Sequence, residues 1–146
     1  MMKFLRWCQQ IWLAFSVHGA KPVAYGEELR RFITNKKHIS KKDNKPKPQA
    51  FLPGRDGCTS TYRVPLGKRA EARLWSLGHC IAAGSQSGVL AGQASILAFW
   101  IDDADLVIRE GRLPSLHVDI TEWPPKKDQQ MLVAERLVRH ASLIAR

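Results

Sequence analysis

Residues 35–49 read Asn-Lys-Lys-His-Ile-Ser-Lys-Lys-Asp-Asn-Lys-Pro-Lys-Pro-Gln. Six lysines and two prolines with Ile39 as the one sizeable apolar residue cannot build a core, so this stretch separates an N-terminal part of the chain from a longer C-terminal part. The pattern predicts a helical hook over residues 1–34, an extended basic linker over 35–50 and a compact domain over 51–146. At 146 residues the chain has room for one modest domain, and the part after the linker is long enough for a single core.

Charge follows the same division. Residues 1–49 hold 11 of the 23 Lys and Arg and 3 of the 13 acidic residues, so +8 of the net +10 lies there and the remainder is nearly neutral. A short segment with that excess has the character of an arm that neutralises phosphate. The residues that point to backbone contacts are Arg30, Arg31, Lys36, Lys37, Lys41, Lys42, Lys45 and Lys47. The lysine run carries no interleaved aromatic residue, so base stacking along it is not indicated.

The first seventeen residues place Phe4, Cys8, Ile11, Trp12 and Phe15 on one helical face, and His18-Gly19 supplies a stop. That face packs on the protein's own core or docks on a partner or a membrane surface, and Trp7, Ile11, Trp12 and Phe15 are the contact residues for a partner. Gln9 and Gln10 leave an apolar run of only Ile11 to Phe15, too short for the core of a signal peptide, and no run approaches the ~18 apolar residues of a membrane span. Cys8, Cys58 and Cys80 are odd in number, far apart and not paired as C-x-x-C, which argues against a disulfide framework and fits a reducing cytoplasm.

A second short helix is expected near Glu27 to Ile33, with Leu29, Phe32 and Ile33 inward and Arg30-Arg31 outward. After the turn-rich Pro53-Gly54-Arg55-Asp56-Gly57, the β-branched and aromatic content of Thr59 to Val64 predicts a strand. Helices are expected from Lys68 to Ala83, on Ala70, Leu74, Leu77 and Ile81, and again on Leu90, Ala94, Leu97 and Ile101. Strict alternation marks Leu116 to Thr121 as a half-buried strand. A last helix comes next, with Met131, Ala134, Leu137, Val138, Ala141 and Ile144 as its stripe. The fold class predicted is α+β: a small sheet covered by two or three helices, preceded by an amphipathic helix and a basic linker.

For chemistry, His117, Asp119 and Thr121 share one strand face, and a carboxylate beside an imidazole can fix its tautomer for acid-base work or face a phosphate. His117, Asp119 and Arg63 would form a small site if the fold brings them together around a cleft. The competing reading is an ordinary polar strand surface. His79-Cys80 lie about 100° apart on a helix and do not face one another. No histidine or cysteine spacing of a metal site, phosphate loop or dinucleotide fingerprint occurs, and no metal or cofactor is expected.

Phe51-Leu52-Pro53, Arg55-Asp56-Gly57, Thr59 to Arg63, Leu74-Trp75-Ser76-Leu77-Gly78 and His117-x-x-Ile120-x-x-Trp123-Pro124 together resemble a widespread group of small bacterial proteins of uncharacterised function. The resemblance runs from about Phe51 to the C-terminus, departs around Gly92-Gln93-Ala94-Ser95, and implies a bacterial cytoplasmic domain without implying an activity. The sequence therefore favours a nucleic-acid-associated binding or assembly subunit, its basic arm on nucleic-acid backbone and its first helix on a larger protein assembly. The alternative is a small enzyme acting on a phosphate-containing substrate through His117, Asp119 and Arg63.

Overall fold

Six antiparallel strands form the central sheet of the computed structural model, which describes residues 22–110 and 116–144. The expected first helix and its contact residues Trp7, Ile11, Trp12 and Phe15 lie outside the described residues. The strands of the sheet are β1 (Glu28–Ile33), β4 (Thr59–Arg63), β5 (Gly92–Leu97), β6 (Val107–Glu110), β7 (His117–Thr121) and β8 (Ser142–Ile144), in the order β6-β7-β4-β1-β5-β8. A separate hairpin pairs β2 (Ile39–Ser40) with β3 (Lys45–Pro46). Among the described residues three α-helices complete the fold: α1 (Ala70–Ala82), α2 (Ala98–Asp103) and α3 (Lys127–Arg139). The expected α+β class is what forms.

Each face of the sheet has its own apolar cluster. On one, α1 sets Leu74, Leu77 and Ala82 against Phe32 and Tyr62 of the sheet and against Leu90 and Leu116. The helix lies close because Gly78 has no side chain; a Cβ there would sit 2.9 Å from Leu90 Cδ2 and from the Phe32 ring. On the other face, α3 and α2 bring Ala134, Leu137 and Ile101 onto Leu29, Ile33, Ile96, Val118 and Ile120, with Phe51 fully buried among them. Covering both faces of a six-stranded sheet removes enough apolar surface to make one stable core.

Three expectations change. The segment read as a second helix is β1, whose cross-strand partners on β5 run from Glu28↔Leu97 to Ile33↔Gly92. Because helices cover both faces, Leu29, Phe32 and Ile33 are all buried and the alternation that identifies a strand is lost. The Leu90 to Ile101 repeat spans a loop, β5 and the start of α2 for the same reason. The last helix ends at Arg139, and Ile144 pairs with Gln93 in β8 instead of extending the α3 stripe. The compact unit therefore reaches back past Phe51 to include β1.

Candidate functional site

The lysine-rich stretch is folded. Asn35 opens a 3-10 turn over Lys36–His38, its Oδ1 accepting from Lys37 N at 2.9 Å. β2 and β3 then pair Ile39 with Pro46 and Ser40 with Lys45, and Lys47 N donates to His38 O at 2.8 Å. The tip is closed by Asp43 N donating to Ser40 Oγ and by Asn44 in the left-handed region, φ 51°, a conformation asparagine tolerates. A second 3-10 turn over Pro48–Ala50 leads into Phe51.

Small apolar contacts fasten this hairpin to the domain. Pro46 and Ala50 are buried, and Ile39 lies over Gly92, where a Cβ would come within 3.2 Å of Ile39 Cδ1. The six lysines, Lys36, Lys37, Lys41, Lys42, Lys45 and Lys47, are all exposed. Among the described residues none of them forms an ion pair. Residues 35–50 contain those six lysines and one acidic residue, Asp43, so the hairpin carries a net +5. His38 adds no charge near neutral pH, since burial and the positive charges of Arg31 and Lys47 hold its imidazole below the usual range.

Arg30 and Arg31, expected beside the lysines, turn inward. Arg30 is 3% exposed, with Nε on Glu28 Oε1 at 2.7 Å and Nη1 on Glu71 Oε2 at 2.9 Å and on Gln93 Oε1 at 3.0 Å. Burial pulls its guanidinium down, but the bonds and charges of Glu71 and Glu28 outweigh that and hold it above its ordinary value. Glu71 is correspondingly held below the usual carboxylate range by the Arg30 hydrogen bond. Arg31 points to the opposite face and donates to the carbonyls of Ala50 at 2.9 Å and Ser60 at 3.0 Å. β1 and β4 pair only at Leu29↔Arg63 and Arg30↔Tyr62, so Arg31 joins the end of the lysine hairpin to β4 where the ladder stops. An arginine suits this because its planar fork can satisfy two acceptors at once.

His117 and Asp119 do meet. His117 Nε2 lies 3.0 Å from Asp119 Oδ1, each side chain a little under one third exposed, and the Tyr62 ring lies 5.2 Å from the imidazole. The register sets Ser60 on β4 and Arg109 on β6 opposite Asp119, two neighbours that strand periodicity in β7 alone could not show. Arg63 is not part of this group. Tyr62 is the residue opposite His117, so alternation sends Arg63 to the other face, where Glu27 takes its Nε at 2.6 Å and its Nη2 at 2.8 Å. Cys58, one strand step beyond Ser60, is no activated nucleophile, because partial burial and the charges of Asp119 and Asp56 push its thiol up. Arg55-Asp56-Gly57 is a turn, with Gly57 at φ 79° and Asp56 Oδ1 accepting from Cys58 N. His140 stacks on Trp100 at 3.5 Å with an interplanar angle of 3°.

A groove missed by sequence reading runs beside the first 3-10 turn. Asn35, Lys36 and Lys37 form one wall, and Ser87, Val89 and Ala91, from the connection between α1 and β5, form the other. The turn signal Ser85-Gln86-Ser87-Gly88 is visible in the sequence, but nothing local says that it folds back to the lysines. No protein-family model, curated protein or solved structure matches this chain.

Proposed function

We propose that this protein binds nucleic-acid backbone through the folded lysine hairpin. The observation that carries the reading is a net +5 on a short hairpin whose six lysines are exposed and, among the described residues, free of ion pairs. Such a surface contacts phosphates without reading sequence, and binding is driven by release of the counterions that phosphates hold. Trp7, Ile11, Trp12 and Phe15 then serve to attach the module to a protein assembly. Replacing all six lysines with glutamine tests the reading in an anisotropy titration of a fluorescein-labelled oligonucleotide. Affinity falls at least about tenfold while the melting curve is retained. Equal affinity in the two proteins contradicts it.

The 3.0 Å contact between His117 and Asp119, with Arg109 opposite, supports a second reading: acid-base chemistry on a phosphate-containing substrate. Under it, His117→Ala and Asp119→Asn each abolish cleavage of a labelled RNA strand with little change in melting temperature. Cleavage at the wild-type rate in both variants, or none in the wild type, removes that reading and leaves the first.

A further inference from the structure

Beside the lysine hairpin the surface changes from mainly cationic to mixed. The groove between the first 3-10 turn and the α1–β5 connection has a volume of ≈ 350 Å³, at the lower end of the roughly 300–1,000 Å³ typical of small-ligand sites. A second groove of ≈ 480 Å³ shares Thr34, Asn35, Lys37 and Ser87 with it and adds Gln86, so the two adjoin. The walls are latched together. Ser87 Oγ donates to Thr34 O at 2.6 Å, and Ala91 N donates to Ile33 O at 2.7 Å, fixing the second wall to the end of β1. Asn35 is held by Lys37 N, and Gly88 turns the connection at φ 70°.

What this groove offers is specific in kind. Val89 is 63% exposed and lines the groove together with Ala91, Lys36 and Lys37, and among the described residues no acidic residue lines either groove. The complement of an apolar wall set beside cations is a ligand that carries an anion next to a flat apolar surface. A nucleotide with its base unpaired has that character, whereas a duplex presents phosphates outward and keeps its base faces stacked inside. Of the side-chain amides lining the grooves, Asn35 has its Oδ1 taken by Lys37 N and its Nδ2 3.4 Å from His38 Nε2, which leaves Gln86 for base edges, fewer groups than sequence readout uses.

We infer that the groove seats unpaired bases of a single-stranded nucleic acid whose phosphates rest on Lys36 and Lys37, so the protein prefers single strands to duplexes without strong sequence preference. The inference rests on the phosphate-binding reading and adds the form of nucleic acid to it.

The test is anisotropy with fluorescein-labelled oligothymidine and oligouridine, each compared with the duplex it forms with its complement. The wild type binds the single strand at least about fivefold more tightly than the duplex in one or both sugar series. Val89→Ser weakens single-strand binding by about threefold and leaves duplex binding unchanged, and Val89→Phe, which puts an aromatic ring where the aliphatic contact was, tightens single-strand binding by about fivefold. Both variants sit at an exposed position and carry no charge, so neither alters the electrostatics, and circular dichroism melting checks that each is folded. Equal binding of strand and duplex, or Val89 variants indistinguishable from wild type, overturns the groove while lysine-dependent binding leaves the phosphate reading standing. Absence of lysine-dependent binding to either form overturns both.

Discussion

Arg30 and Arg31 on β1 and the lysines that begin at Lys36 are close in the chain, share a charge and meet opposite fates. The arginines are drawn in, one between Glu28, Glu71 and Gln93 and the other against two backbone carbonyls, while every hairpin lysine remains in water. Arg63 on β4 behaves as these two do, buried and gripping Glu27. The guanidinium is weakly hydrated and its fork fits carboxylate and carbonyl acceptors; the ammonium is strongly hydrated and stays outside unless paired. Formal charge therefore overstates the exposed cationic surface of the N-terminal third, because part of it holds the fold together.

The contrast breaks most visibly at Arg30. Arg30→Met leaves Glu28, Glu71 and Gln93 facing an apolar side chain and costs about 3 kcal/mol, discounted toward the low end of buried-pair losses because both carboxylates are partly exposed. Each hairpin Lys→Gln change costs within about 0.5 kcal/mol. Urea denaturation of the variants checks both, and equal costs would erase the distinction.

A somewhat smaller effect belongs to Tyr62, packed 4.9 Å from the Phe32 ring and pushed up to about 12 by burial, against the opposing pull of the Arg31 charge. The unfolded chain releases this proton near pH 10 and the folded one only near pH 12, so stability is complete below pH 10 and is lost as pH rises through that window. The loss amounts to about 2 kcal/mol. Tyr62→Phe removes this component of the alkaline slope in denaturation measured from pH 8 to 12; an unchanged slope places the tyrosine hydroxyl in water. Glu71 gives the smallest effect. Its depressed carboxyl stabilises the fold above the ordinary glutamate range and ceases to do so as pH falls through the folded value. Glu71→Gln therefore costs less than about 1 kcal/mol at neutral pH, given the exposure of the side chain, and nothing once the wild-type carboxyl is protonated.

The parts of the fold legible in the sequence are those whose residue types or periodicity match the element that forms. Thr59–Arg63, His117–Thr121 and the helices at Ala70–Ala82 and Lys127–Arg139 lie where local pattern places them. β1 and β5 were not legible, because burial on both faces replaces alternation with apolar spacings that imitate a helix turn. Lysine content marked the candidate interface, yet its folding into a hairpin depends on Ile39 against Gly92 and Arg31 against Ala50, contacts between residues distant in sequence. The meeting of His117 with Asp119 followed from period two, and the departure of Arg63 follows from that same period once Tyr62 is known to face His117.

The claim that the hairpin lysines are the phosphate-binding surface is tested most directly by the slope of log affinity against log salt for a single-stranded oligonucleotide. Six lysines on single-strand phosphates give a slope near about −4. With all six replaced by glutamine it moves close to zero, while the urea midpoint shows the protein still folded. A shallow slope in the wild type, or the same steep slope in the substituted protein, contradicts the assignment.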